Sequence, residues 1–278
     1  IEPKLLDGPE LKIPLEFDPR HKLVDWMAQP DNPFFAKALV NRMWGHLMGR
    51  GLVDPIDDMR ETNPPTNPEL LNALAKSFVE SGFDMKKLVR TIATSTTYQL
   101  SSIPNAYNAK DRHHFSRFYP RRLPAEVLFD SVNTMLQSES KFEGLPAGTR
   151  AVCLPDNSFN ANNYFLTVFG RPESSSACEC ERSMDASLSQ SLHLLNSAEI
   201  QGKLTAANAR ADQLSKDANR PHPAKIRELY LAAFGREPTS DEIAIAIAHL
   251  EKNVQEPKRA YEDIVWALIN TKEFLFNH

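Results

Sequence analysis

The chain is poor in the residues that build folds from covalent staples or glycine-shaped loops. Among 278 residues there are three cysteines and ten glycines. Cys153, Cys178 and Cys180 can close at most one bridge and leave a thiol over, which excludes a disulfide-built scaffold. Long apolar runs are missing as well. Nothing approaches the roughly 20 consecutive apolar residues that cross a bilayer, so no membrane span is expected. Excess positive charge is also absent: 32 Lys and Arg against 36 Asp and Glu give a formal net charge of −4, without the basic field that drives non-specific phosphate binding. The local basic cluster Arg112, His113, His114, Arg117, Arg121 and Arg122 carries no known reader motif, and no nucleic-acid partner is expected. Ile1-Glu2-Pro3-Lys4 shows no basic region followed by an apolar core, so no signal peptide is expected in these residues. No G-x-S-x-G, H-E-x-x-H or phosphate-cradling glycine loop occurs, which removes the common hydrolase, zinc-protease and P-loop readings.

What is present is an ordinary globular balance, 41% hydrophobic and 24% charged, in a chain long enough to bury a self-sufficient core. Helix punctuation dominates. Asn32-Pro33 opens a segment carrying Phe35, Leu39, Met43 and Leu47, closed by Gly49 and Gly51. Asn67-Pro68 opens a second, with Leu70, Leu71, Leu74, Phe78 and Val79 inward, ending at Gly82. Asp84 caps a third, with Leu88, Val89, Ile92 and Ala93 buried. Pro124 precedes a stripe of Leu128, Val132, Met135 and Leu136. After an interruption the pattern resumes through Leu188, Leu192 and Leu195, then Ile200, Leu204 and Leu214. A terminal three-helix unit follows. Its middle helix opens on Thr239-Ser240-Asp241-Glu242, a capping box in which hydroxyl and carboxylate each satisfy a free N–H.

The interruption, residues 138–186, is rich in Ser, Asn, Pro and Gly, and only Thr149 to Leu154 and Tyr164 to Phe169 read as extended. Irregular connections of this length are uncommon in compact domains unless functional, disordered or wrapped over the surface. All three cysteines fall here, which favours an ordered, functional excursion. The fold expected is therefore all-α: a multi-helix bundle in one domain, 1–278, with an N-terminal helical half 1–137, a mostly irregular Cys-containing segment 138–186 with room for a short β element, and a C-terminal helical half 187–278 on a shared core.

Two places could carry chemistry. Cys178-Glu179-Cys180-Glu181-Arg182 presents a C-x-C pair that can ligate a soft metal or close a small strained disulfide. It is not the C-x-x-C-H of a haem attachment site, and a complete zinc site would need further ligands, for which Cys153 and His193 are candidates. Metal or redox site, structural disulfide and inert thiols all remain open here. The second place is the acidic turn Asp54-Pro55-Ile56-Asp57-Asp58 between Arg50 and Arg60. Its spacing is not that of an EF-hand, and the arginines favour a salt-bridged turn over a cation site.

Several blocks run in order along the chain: Asn32-Pro33-Phe34-Phe35-Ala36 into Val40-Asn41-Arg42-Met43-Trp44; Gly49-Arg50-Gly51-Leu52-Val53-Asp54-Pro55; Tyr98-Gln99-Leu100-Ser101; Arg121-Arg122-Leu123 with Ala125-Glu126; Phe169-Gly170-Arg171-Pro172; the C-x-C block; and Trp266-Ala267-Leu268-Ile269-Asn270. In these the chain resembles a family, abundant in planctomycetes and related bacteria, whose members carry a C-terminal domain of unknown function, often behind a c-type-cytochrome-like segment and a second uncharacterised domain. The resemblance implies an exported, multidomain, cytochrome-associated parent protein, whose other domains would be partners. It implies no activity. Arg42, Asp57, Asp58, Arg121, Arg122, Glu126, Asp130, Arg171, Glu181 and Arg182 are charges within or beside the blocks. They form either an interior Arg–carboxylate network pinning 138–186 against the helices or a set of independent surface pairs. The leading expectation is a non-catalytic binding or scaffolding module, with polysaccharide or cell-surface material as partner. The competing one is a metal- or thiol-dependent enzyme or electron-transfer partner using Cys178, Cys180 and the Arg–carboxylate cluster.

Overall fold

The computed structural model of the chain describes residues 4, 12–14, 16–32, 34–155, 163–172 and 187–277. Within them the fold is all-α with a two-stranded minor sheet. The helices are α1 (Pro19–Met27), α2 (Phe35–Met48), α3 (Pro68–Glu80), α4 (Met85–Ala93), α5 (Ala125–Leu136), α6 (Tyr164–Val168), α7 (Leu188–Asn196), α8 (Ala198–Leu204), α9 (Arg210–Lys216), α10 (His222–Phe234), α11 (Ser240–Lys252), α12 (Pro257–Ile269) and α13 (Lys272–Leu275). The expected helix starts are realised atom by atom. Asn67 Oδ1 accepts from Leu70 N at 2.9 Å and Asp84 Oδ1 from Lys87 N at 3.0 Å. Thr239 and Glu242 complete their reciprocal capping box. Pro33 lies outside the described residues, but Asn32 Oδ1 accepts from Phe34 N and Phe35 N, each at 2.9 Å, and so opens α2.

The chain divides after residue 120 into two compact units, each with its own buried apolar cluster. This differs from the expectation of one shared core broken at 137. Helix α5 contributes Leu128, Phe129, Val132, Met135 and Leu136 to the cluster that continues through α8, α10 and α12.

In the first unit, Val40, Trp44 and Met48 of α2 pack with Leu71, Leu74 and Phe78 of α3 and with Leu88 and Ile92 of α4. A polar residue organises the connection after α2. Asn41 is wholly buried, and its Nδ2 donates to Val53 O at 2.9 Å and Ile56 O at 2.8 Å while its Oδ1 accepts from Val53 N at 2.9 Å. The loop lies so close to the helix that a Cβ on Gly51 would sit 3.0 Å from Asn41 Nδ2, and it folds on itself so tightly that the same Cβ would sit 2.2 Å from Val53 O. Farther along, Asp111 accepts from the backbone N–H groups of His113, His114 and Ser116. That turn seats Phe115 edge-on against Trp44, centroids 5.3 Å apart.

In the second unit, Arg121–Arg122 (β1) pairs antiparallel with Phe276–Asn277 (β2) in the register Arg121↔Asn277 and Arg122↔Phe276. The short β element thus lies outside 138–186. Both stretches expected to be extended there are helical instead: Ala151–Cys153 is a 3₁₀ turn and Tyr164–Val168 is α6. Asn163 Oδ1 caps α6 by accepting from Leu166 N at 3.1 Å. A further difference concerns α7. Leu188, Leu192 and Leu195 face outward at 76, 48 and 39% exposure, and Gln190 and Leu194 are buried in their place. The side chain of Gln190 closes the capping box with Ser187 and donates to Val168 O at 3.1 Å, so hydrogen bonding turns this face inward against the apolar pattern.

Removing the Asn41 amide would strand a buried N–H and two carbonyls, each worth about 1–3 kcal/mol when unsatisfied. Asn41→Ala is expected to destabilise the first unit by about 3 kcal/mol, measured by urea unfolding, with Asn41→Asp at least as damaging because the carboxylate cannot donate.

Candidate functional site

Helix α5 carries the polar residues that engage the 138–172 stretch. Asp130, 4% exposed, accepts from Ala151 N at 2.7 Å through one oxygen and from Val152 N at 3.2 Å through the other. Arg150 Nε lies 3.5 Å from the same carboxylate. One turn earlier on α5, Glu126 pairs with Arg171 at 3.3 Å, with side chains 13 and 4% exposed. Arg122 Nη2 donates to Phe169 O at 3.0 Å, and its guanidinium lies 5.4 Å from the Phe169 ring centroid. Burying these charges is tolerable because each meets an opposite charge, a backbone dipole or a ring face.

The chemistry at the end of α6 follows from its exposed carbonyls. Leu166 O accepts from Arg171 N at 3.0 Å, Val168 O from Gln190 and Phe169 O from Arg122. A helix C-terminus concentrates partial negative charge, and a guanidinium there is favourable. Arg122, Glu126 and Arg171 therefore meet at the end of α6, while Asp130, a turn further along α5, meets residues 150–152. Arg121 holds the neighbouring β1 position.

The other expected site residues fall elsewhere. Arg42–Asp57, at 2.6 Å with side chains 57 and 63% exposed, is a solvated pair of the first unit. Asp58 pairs with Arg60 at 2.6 Å, and that guanidinium holds its carboxyl below the usual range. Asp54 pairs with Arg50 at 3.3 Å. The acidic turn is a set of ion pairs, and no group of three or more potential ligands is gathered for a metal among the described residues. Cys178, Cys180, Glu181 and Arg182 lie outside the described residues. Cys153 does not bridge: it is a free, exposed thiol at the end of the 3₁₀ turn. His193, weighed as a supplementary ligand, sits among Tyr164, Phe165 and Phe169 with ring centroids 5.3, 5.6 and 6.4 Å away. Burial lowers its pKa.

Sequence reasoning missed a second feature. Helices α11 and α12 border a cleft of about 400 Å³ whose lining includes Ala246, Ile264 and Leu268, all buried, the exposed Ile245, and Trp266. Its polar lining is Glu242, His249 and Asp263, with His249 Nε2 3.2 Å from Asp263. Arg236 grips Glu242 at 2.8 and 2.9 Å and Glu273 at 2.6 and 2.8 Å. The Arg236 hydrogen bonds hold the Glu242 carboxyl at about 2. The signal was in the pattern: Ile243, Ile245 and Ile247 alternate, which places Ile245 roughly 200° around the helix from both neighbours.

With this geometry in hand, comparison with protein families gives one match: PSD1, a protein of unknown function (DUF1553), over residues 19–250. The chain belongs to this family. No curated protein and no solved structure matches it. The match spans α1 to α11 and covers α5, α6, α7 and the residues that join them, so the polar attachments of Arg122, Glu126, Asp130 and Arg171 lie wholly within the family region.

Leaving one buried partner uncompensated is costly. Glu126→Ala or Arg171→Ala alone should destabilise the second unit by about 3–5 kcal/mol, whereas an apolar double replacement such as Glu126→Leu with Arg171→Met should cost less than either; denaturant melts of the three variants against the unmodified chain test this. A second expectation concerns pH. Because the folded-state pKa of Glu242 is depressed, its contribution is present above the ordinary value of 4.5 and is lost as pH falls toward about 2. The stability gap between the unmodified chain and Glu242→Gln should therefore be largest near neutrality and shrink in melts taken from pH 5 downward.

Proposed function

We propose that this DUF1553 chain is a non-catalytic binding or scaffolding domain of an exported, cytochrome-linked bacterial protein, with polysaccharide or cell-surface material as its partner. One observation carries the reading: both oxygens of the buried Asp130 accept backbone N–H groups of the chain itself. Glu126 and Arg171 are buried against each other, and Arg122 is directed at the carbonyl of Phe169. Acid–base catalysis needs a titratable group within hydrogen-bond reach of a substrate. These groups instead hold a long connection in place, which is what a rigid presenting domain requires. The export and the cytochrome association are supported by the ordered motif blocks and their resemblance to multidomain planctomycete proteins.

Metal analysis and thiol titration of the native protein separate this from an enzyme or electron-transfer role built on Cys178 and Cys180. The expected result is no stoichiometric metal and rapid titration of Cys153, the exposed thiol, without redox cycling. Stoichiometric zinc, iron or copper, or a pair of thiols that cycles reversibly with a dithiol reductant, would overturn the proposal.

A further inference from the structure

The cleft between α11 and α12 is built like half of a helix-packing interface. Glu242, Ala246 and His249 recur at helical spacing along α11, and Asp263 and Ala267 do so along α12, with Trp266 beside them. Two facing stripes of this kind form the groove into which a third helix packs. The small side chains of Ala246 and Ala267 leave room for close approach at its centre. Ile245, 71% exposed, stands at its edge, and the core does not account for it: Ile243, Ile247 and Leu250 already serve the cluster shared with α12. A helix bearing apolar residues on more faces than its own core uses has an unfilled contact.

The electrostatics select among helices. Among the described residues lining the groove there are two carboxylates, Glu242 and Asp263, one imidazole, His249, and no Lys or Arg. Arg236 approaches Glu242, also binds Glu273, and lies 5.6 and 5.4 Å from the Tyr230 and Phe234 ring centroids. Among the described residues, Asp263, 53% exposed at its side chain, pairs with His249 at 3.2 Å in a contact that is ionic when the imidazole is protonated. The groove thus pairs an apolar floor with an acidic rim.

From this we propose that the α11–α12 groove docks an amphipathic α-helix of a partner, one whose apolar stripe is flanked by Lys or Arg. The proposal rests on the reading of the chain as a binding domain and adds, at this groove, a protein ligand beyond the partner proposed above. An apolar stripe from such a helix covers Ala246, Ala267 and Leu268 and is clasped by Ile245 and Trp266. Its flanking cations meet Asp263 and Glu242, the two carboxylates of the lining.

The test is isothermal titration calorimetry of the full chain with a designed Leu/Lys amphipathic helical peptide and with its Leu/Glu counterpart. The Lys peptide is expected to bind at one site and the Glu peptide not to bind. Ile245→Glu, at an exposed position, should keep the melting temperature and weaken the Lys peptide about tenfold or more. Asp263→Lys should weaken it about threefold to tenfold, chiefly through association. No binding of the Lys peptide, equal binding to Ile245→Glu, or saturation of the groove by hexylamine with the same affinity as the peptide would each overturn the docking of a helix. The two proposals fail separately: a metal-loaded or redox-cycling protein overturns the binding-domain reading whatever the peptide does, and a metal-free protein that ignores the peptide overturns only the groove.

Discussion

A carboxylate placed on the inward face of a helix must find donors, and in the second unit that requirement decides how the chain runs after α5. Asp130 is buried beside Phe129 and Val132, in surroundings that would penalise an uncompensated charge by several kcal/mol. It takes the N–H groups of Ala151 and Val152, which fixes the connection against the helix at that point. Glu126, a turn away, does the same for the end of α6 through Arg171. Apolar burial acts beside these hydrogen bonds, with Phe142, Ala151, Phe165 and Phe169 in the core cluster. An apolar substitute for Asp130 would relieve the desolvation but leave two buried N–H groups unanswered.

The same logic recurs at other helix ends. Arg210 Nε donates to Met135 O at 2.8 Å at the close of α5 and pairs with Glu228 at 2.6 Å. Lys225, 4% exposed, donates to Leu214 O at 2.9 Å and to Asp217 O, and so closes α9. In each case a cation satisfies carbonyls left over by a helix, where the peptide dipoles favour positive charge. The tripeptide Phe-Gly-Arg occurs at 169–171 and again at 234–236, and it uses its arginine differently, against a carboxylate. Gly170 and Gly235 both take the left-handed conformation. Arg171 and Arg236 then reach Glu126 and Glu242, each in the first turn of a helix. The flanking sequences differ, so the shared feature is local chemistry and not a structural repeat.

These attachments and the α11–α12 groove divide the work of the second unit. Charges held inward stiffen the scaffold, and the acids of the groove face outward over an apolar floor. A rigid frame lowers the entropic cost of presenting a surface, the ordinary advantage of preorganised binding.

The sequence alone determined the all-α class, the helix starts at Asn67, Asp84 and Thr239, and the buried stripe of α5, because capping and 3.6-residue periodicity are encoded within a few neighbours. It also marked Arg122, Glu126, Asp130 and Arg171 as charges next to apolar stripes, without their partners. Only the tertiary structure decided that Asp130 meets residues 151 and 152, that Arg42–Asp57 is merely a solvated pair, that α5 joins the core of α10 and α12, and that α7 turns Gln190 inward and its leucines out. Which donor a buried acceptor finds depends on segments far apart in the chain, and no local pattern carries that information. The groove stayed hidden for the same reason: Ile245 looks like one more core isoleucine until the neighbouring helices are placed and its face is left open.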